Sequence, residues 1–510
     1  MSTDPVGAGS PNLRPMRIGV FNRFWSTFGG AEMVAGTIAD ELCRDHEVSL
    51  VGTEDVPVER LAERLGLGLE SVGTRVVEDL AAAVEDASRG YDLWVNCSYL
   101  SHEASRATHG VYVLSFPTPA TSHFNAAQRA LNATAGLVLR RGWPPACPGR
   151  GFGPVEGDRG ERRRRLDPEA HFTVQARPGR ERAVTVVFAA GAEAHVELSG
   201  GGPEVSATIG GSRTPVPVIC RAGADGVAHA RIRTAQGHAA VSGIVTGTGT
   251  TARLAARAGA LAPFLLVETS AAFADSYDLV LANSEYTRHW TKRLWHRDST
   301  VLYPPVRPIA PGDKEPLILS VGRFFDAAAG HSKKQVELVE TFGRLVRDGA
   351  LDGWSLHLVG GCGPDQRPYL DRVRAAAKGL PVELHVDAAR REVEALYGAA
   401  SIYWHAAGLG ENPRRHPHRF EHFGITPVEA MSAGAVPVVF DHAGPAEVVE
   451  AGTSGLVFDD LDGLAGATRT LVSDPPRREA LAEGARKRAA SFSPEAFRRR
   501  LRALLAPLGV

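Results

Sequence analysis

Cysteine is scarce in this sequence, and the little there is forms no pattern. The five residues, Cys43, Cys97, Cys147, Cys220 and Cys362, are odd in number, scattered, and include no C-x-x-C pair. That excludes a disulfide scaffold and a cysteine-ligated zinc module, and it reads as free thiols in a reducing compartment. No apolar run is long enough to span a bilayer. The first residues lack a basic segment followed by an apolar one, so secretion is not expected and the expected location is cytoplasmic, at the inner face of a membrane at most. Neither sign of charge dominates. The 57 Lys and Arg against 58 Asp and Glu leave a formal net charge of −1, which removes any global drive toward nucleic acid or anionic membrane. No nucleic-acid partner is expected, and peripheral membrane contact stays open. At 510 residues the chain exceeds one ordinary core, so two or three domains are expected.

What is there is organised around Phe420 to Phe440, FEHFGITPVEAMSAGAVPVVF. Thr426 suits an N-cap, Pro427 the first helical position, and Glu429 completes a capping box with Thr426. Gly434 stops the short helix, and Val436 to Phe440 reads as a strand buried on both faces. A helix N-terminus presents free N–H groups and a positive dipole end, which suits a phosphate. Gly424 lets backbone approach a ligand closely. Glu421 and Glu429 set one carboxylate before this anion site and one inside it.

The full string resembles the donor-site signature of retaining glycosyltransferase family 4, which has the GT-B fold. The resemblance implies an α/β chain in which two Rossmann-like domains face a cleft. It implies a retaining, metal-independent transferase that takes a sugar from a nucleoside-diphosphate sugar, with no other cofactor. The acceptor would be a glycan, a lipid-linked glycan or a small molecule. Glu421 would hold donor-sugar hydroxyls and Glu429 the ribose hydroxyls. Backbone N–H groups of Gly424, Ile425 and Thr426 would bind phosphate.

In chain order, residues 1–15 are rich in Gly, Pro and Ser and read as disordered. Met16–Asn22, a Gly29-Gly30 loop, a helix over Ala31–Leu42 and His46–Val51 make a β–loop–α–β unit. This unit lacks G-x-G-x-x-G, so no dinucleotide is indicated. By resemblance, the loop holding Gly29, Gly30 and Glu32 faces the cleft and touches donor phosphate or acceptor; a tight turn is the equal alternative. YDLWVN and GVYVL read as further strands. GVYVLSFPTP resembles a family stretch that carries histidine before F-P, where this chain has Ser115. His102 and His109 are nearby in sequence, and His102 is kept as a candidate. A helix is expected over Ala126–Arg141.

Residues 151–253 then change character, with short alternating runs between turn residues. They read as an all-β, sandwich-like insertion into an N-terminal domain of residues 16–150 and 254–300. The basic run Arg162–Arg165 reads as a solvated linker at its start. A structural or partner-docking role suits the insertion, since it has no evident aromatic platform for a glycan.

SYDLVLANS restores the α/β pattern, and VLYPPV reads as an extended strand. The C-terminal donor domain is expected over 301–490, with a last helix in 491–510 crossing back to the first domain. Within it, VGRFF and KKQVELVETF resemble family segments in which Gly322 lies beside the donor and Arg323 and Lys333 grip its diphosphate, with Lys334 as the one-residue alternative. A guanidinium fork and an ammonium point charge both neutralise phosphate. The loop Asp387–Arg390 would lie beside the nucleobase. His416, His418 and His422 invite a metal reading, but no acidic or cysteine ligand pattern supports it, and no metal is expected. Two rival readings are a sugar-nucleotide-binding protein that has lost catalysis, suggested by Ser115, and a scaffold whose insertion binds a cell-envelope partner.

Overall fold

The computed structural model describes residues 14–117, 146–148, 151–156, 163–176, 178–224, 227–247, 272–295, 297–326 and 332–510. Residues 1–13 and the helix expected over Ala126–Arg141 lie outside these residues. Strands β1 (Arg17–Phe21), β2 (Glu47–Gly52), β3 (Gly73–Val76), β4 (Leu93–Asn96) and β5 (His109–Leu114) open the chain. Ten strands follow: β6 (Ala146–Pro148), β7 (Phe152–Glu156), β8 (Arg163–Leu166), β9 (Glu169–Gln175), β10 (Glu181–Phe188), β11 (Glu193–Ser199), β12 (Val205–Gly210), β13 (Thr214–Arg221), β14 (Val227–His238) and β15 (Ala240–Thr246). Then come β16 (Leu279–Ala282) and β17 (Thr300–Val301). The last sheet is built from β18 (Glu315–Val321), β19 (Ser355–Gly360), β20 (Val382–Val386), β21 (Ala400–His405), β22 (Val436–Phe440) and β23 (Leu456–Phe458).

Two parallel sheets carry the architecture, in the orders β17-β16-β5-β4-β1-β2-β3 and β20-β19-β18-β21-β22-β23. Their central strands are near-continuous apolar runs because both faces are covered; β4 and β22 are buried at every position. VLYPPV forms a strand only at Thr300–Val301. Pro304 and Pro305 have no N–H to donate to a ladder, so the remainder runs on without pairing.

Between β5 and β16 of the first parallel sheet the chain inserts two antiparallel five-stranded sheets, β13-β10-β15-β8-β7 and β12-β11-β14-β9-β6. Here the side chains alternate: β11 buries every second residue. Phe172, Val196, Leu198 and Ile232 from one sheet share a core with Val184, Val186 and Phe188 from the other, which is sandwich packing. The first strand of this unit, at Ala146, pairs with β9 and lies ahead of residue 151. The basic run Arg162–Arg165 is corrected by the structure: from Arg163 it is β8, not linker. Exposed and half-buried positions alternate along it, so long arginine stems lie against the sheet while their charged heads stay in water.

Six helices position the site: α1 (Gly30–Leu42), α2 (Glu285–Trp295), α3 (Gln335–Arg347), α4 (Arg390–Ala399), α5 (Ile425–Ser432) and α6 (Pro494–Leu505). The Oγ of Ser493 accepts from the Ala496 N–H, and Pro494 fills the first helical position, so α6 starts as its sequence dictates. Its Phe497, Leu501 and Leu505 are buried with Ile18, Val34 and Ile38 of the first α/β domain. Arg498 pairs with Asp40, and Arg502 with Glu41 and Asp45. The end of the chain is thereby fixed to its beginning.

Candidate active site between the two α/β domains

β18 delivers Gly322 and Arg323 at its C-terminal end. A Cβ at Gly322 would stand 2.5 Å from Cγ of Lys333, so glycine is what lets the lysine stem cross this strand end. Gln335, at the start of α3, donates through Nε2 to the carbonyls of Gly322 and Arg323, both at 3.1 Å. The Arg323 guanidinium lies 5.5 Å above the Phe325 ring. Lys333 pairs with Glu421, and His405 at the end of β21 reaches the same carboxylate oxygen at 3.3 Å through Nε2. The Lys333 and Glu421 side chains are only 13% and 18% exposed, so their attraction is little screened. Burial lowers the His405 pKa below its ordinary value, despite the neighbouring carboxylate. A neutral ring meets Glu421 through an Nε2–H that donates.

The start of α5 differs from the expectation. Gly424, with φ 99°, is the N-cap, and the helix begins at Ile425. Thr426 therefore lies inside the first turn, and the Thr426–Glu429 capping box does not form. Pro427 is tolerated because the first four N–H groups of a helix have no internal partner anyway. Glu429 is instead 8% exposed and clamped by α4. Its Oε1 accepts from Arg390 Nη1 at 2.8 Å and its Oε2 from the Tyr397 hydroxyl at 2.9 Å. Lys334 takes a left-handed backbone, φ 59°, to cap α3, and its Nζ lies 3.4 Å from Glu411. Arg419 meets the other oxygen of Glu411 at 3.2 Å.

The first α/β domain closes over this face. A Cβ on Gly30 would come within 2.6 Å of Cδ1 of Ile425, so the first turns of α1 and α5 abut. The Phe116 ring stacks on His422 with centroids 4.1 Å apart. The Glu447 carboxylate accepts from the backbone N–H of Glu285 at 2.8 Å and from the Tyr303 hydroxyl at 2.5 Å. It thus caps α2 from across the cleft, where a carboxylate suits the helix dipole.

Other expected residues take humbler places. Glu32 turns inward: Oε1 accepts from Asn22 Nδ2 at 3.0 Å, and Oε2 from Thr27 Oγ1 and the Gly29 N–H, both at 2.7 Å. It closes the capping box on Gly29, the N-cap of α1. Ser115 offers its carbonyl to Thr287 Oγ1 at 3.1 Å, next to the stacked Phe116. His102 packs on Phe273 at 5.1 Å, on the first domain. His416 and His418 face each other edge-on at 6.1 Å, while His422 lies on Phe116. The residues that sequence reasoning passed over are His405, Tyr397, Phe116 and Glu447, together with the bond from Arg390 to Glu429. His405 carried a signal, since it ends a parallel strand, where sites of open α/β sheets form.

Residues 307–488 match the family described as "Glycosyl transferases group 1". The mouse (Mus musculus) GDP-Man:Man(3)GlcNAc(2)-PP-Dol alpha-1,2-mannosyltransferase is 26% identical over 243 residues, 43% of this chain and 46% of that protein. The human (Homo sapiens) Alpha-1,3/1,6-mannosyltransferase ALG2 is 23% identical over 253 residues, 44% of this chain and 57% of that one. The chain thus spans about half the length of the curated relatives it matches. Anabaena Alr3699/HepE, solved in complex with UDP and glucose, superposes with a TM-score of 0.52 at 14% identity, over 96% of this chain and 100% of that one. Family match and shared architecture agree: residues 307–488 resemble the group 1 glycosyltransferases, and the chain has the GT-B fold.

Proposed function

We propose that the chain is a retaining glycosyltransferase that moves a hexosyl residue, mannosyl or glucosyl, from a nucleoside-diphosphate sugar to a glycan or lipid-linked acceptor. The observation that carries this reading is the Lys333–Glu421–His405 cluster beside Gly322 and Arg323, facing the start of α5. In the proposed step the bond between the sugar C1 and the β-phosphate oxygen breaks. The acceptor oxygen bonds to C1 on the same face, and its proton passes to the departing diphosphate. Arg323 and Lys333 neutralise the charge that develops there, as do the N–H groups of Gly424, Ile425 and Thr426. Gly29 and Gly30 approach from the other domain. Glu421 and His405 hold sugar hydroxyls. Glu429 takes the ribose hydroxyls, with Arg390 and Tyr397 setting its orientation. In this reading protein cations do the leaving-group work, so added magnesium or manganese leaves kcat unchanged.

The acceptor side has its own support. Arg23 ties three loops of the first domain together through the Ser98 hydroxyl, Asp79 and Glu103. On those loops Phe24, Leu80, Tyr99 and Leu100 are each 40% or more exposed. Large exposed apolar side chains on loops joined in this way suit an acceptor with a lipid portion, used at the inner face of a membrane. No helix among the described residues is long and apolar enough to cross a membrane.

The name of the mouse relative speaks of GDP-Man and the structural neighbour holds UDP and glucose, so both donors belong in the test. The chain is incubated with GDP-mannose or UDP-glucose and a polyprenyl-linked glycan, and the anomeric configuration of the product is read by NMR. Retention with either donor supports the proposal; an inverted product refutes it. A second reading, donor binding without transfer, has Ser115 behind it, and it would give nucleotide-sugar binding in calorimetry with no product.

A further inference from the structure

β20 reads VELHV, and on a strand residues two apart share a face. Leu358 goes to the core with partly buried Leu384. Glu383 and His385 therefore project on the other face, where His357 of β19 is in register with Glu383. The three polar ends meet. Nδ1 of His357 lies 3.1 Å from Nε2 of His385, and Oε2 of Glu383 lies 4.0 Å and 3.8 Å from those same atoms. These contacts involve neither the Lys333 cluster nor the exposed loops, and the proposed sugar transfer makes no use of them.

We infer that His357, Glu383 and His385 form a site for one divalent ion of the zinc class, and that the ion fixes α4 and through it Glu429. Zinc–nitrogen and zinc–oxygen bonds of 2.0–2.2 Å at tetrahedral angles put ligand atoms about 3.4 Å apart, which these three approach without backbone movement. Two imidazoles and one carboxylate favour a borderline ion such as zinc over magnesium or calcium. A water would complete the coordination on the side where Glu383 is 65% exposed. The remaining ring nitrogens are already held. Nδ1 of His385 is 2.8 Å from Glu392 and Nε2 of His357 is 3.2 Å from Ser355 Oγ. Metal-bound histidines need such outer partners to fix their tautomers. His385 donating from Nδ1 to Glu392 leaves the Nε2 lone pair facing the ion. His357 needs its proton on Nε2, where the Ser355 hydroxyl accepts it, so that its Nδ1 lone pair also faces the ion.

The consequence lies in α4. Its first turn carries both Glu392, the outer partner of His385, and Arg390, the partner of Glu429; its last turn carries Tyr397, which binds Glu429 as well. An ion at the sheet edge therefore anchors the helix that orients the carboxylate proposed for the ribose. This coupling rests on the donor reading above; the metal site itself does not.

The test starts with zinc titrated calorimetrically into the full-length, metal-free chain without nucleotide. The expected result is one zinc per chain, bound at least tenfold more weakly in His385→Gln and in Glu383→Gln. Cobalt in place of zinc should give the visible absorption of a four-coordinate site in the parent only. Glu383 is exposed, so Glu383→Gln should keep the metal-free melting temperature and decides the matter if His385→Gln does not fold. A parent without saturable zinc binding, or a Glu383→Gln chain that binds zinc as tightly as the parent, overturns the site and leaves a hydrogen-bonded histidine pair. Nucleoside diphosphate is then titrated into zinc-loaded and zinc-free chain. Severalfold tighter binding to the loaded form supports the coupling, and equal affinity overturns it. Nucleotide binding to neither form sinks the donor reading and the coupling, while the zinc result stands.

Discussion

Gly30 and Ile425 meet across the cleft so closely that a Cβ on the glycine would stand 2.6 Å from the isoleucine Cδ1. The two helix starts that the donor reading sets around a diphosphate, one from each α/β domain, are thus within van der Waals reach. Gly30→Val should hold the domains apart and lower kcat/KM roughly tenfold, about 1.4 kcal/mol. Pairing it with Ile425→Ala, which frees the space, should restore most of that loss. A double-mutant cycle with no coupling between the two sites would show that closure does not bring them together.

Glu429 gives a sharper test of how donor affinity arises. Glu429→Gln keeps the shape but exchanges charge-assisted bonds to Arg390 for neutral ones, a difference of about 1 kcal/mol. Donor affinity should fall roughly fivefold, and Arg390→Ala should fall in the same direction because the carboxylate loses its orientation. Calorimetry on both variants checks this. Donor binding unchanged in both would remove Glu429 from the ribose site.

The pH dependence of stability should carry a trace of His405. Burial holds its folded pKa below the ordinary histidine value, while the unfolded chain has the ordinary value of about 6.5. The unfolded state therefore takes up the proton first. The histidine's contribution is intact above pH ~6.5 and is lost as pH falls through that value toward the folded pKa. Between pH 7.5 and 5.5 the parent should lose more melting temperature than His405→Gln. Parallel curves would mean that His405 is as easily protonated folded as unfolded.

The last helix should matter to the first domain. Leu501 is 1% exposed among Ile18, Val34 and Ile38, and Leu501→Ala should cost about 2–5 kcal/mol. Ser493→Ala, which removes only the cap, should cost about 1 kcal/mol. Urea titrations report both. Equal small losses would indicate that α6 packs loosely.

What could be read in the sequence divides along a physical line. The parallel strands, the β insertion and the segment from Phe420 to Phe440 were legible because apolar period and turn residues are local signals. The α5 start was misread because Thr426 and Pro427 look like a cap pair, whereas the positive φ of Gly424 starts the helix two residues earlier. Arg163–Arg165 looked like linker because charge hid a two-residue alternation. Lys333, Arg323, Gly322 and Glu421 were named from resemblance, but their grouping with His405 required the crossing of strand ends. The Phe116–His422 stack and the Glu447 cap join residues over a hundred positions apart. Likewise His357 and the E-x-H of β20 come together only through strand register.

The most direct measurement is release of nucleoside diphosphate from GDP-mannose and from UDP-glucose, in the presence of a polyprenyl-linked glycan, by the parent and by Lys333→Ala. The account predicts release with at least one donor, falling at least a hundredfold in Lys333→Ala, the scale on which removal of a charge-stabilising group acts. No release from either donor, or a Lys333→Ala chain as fast as the parent, would contradict it.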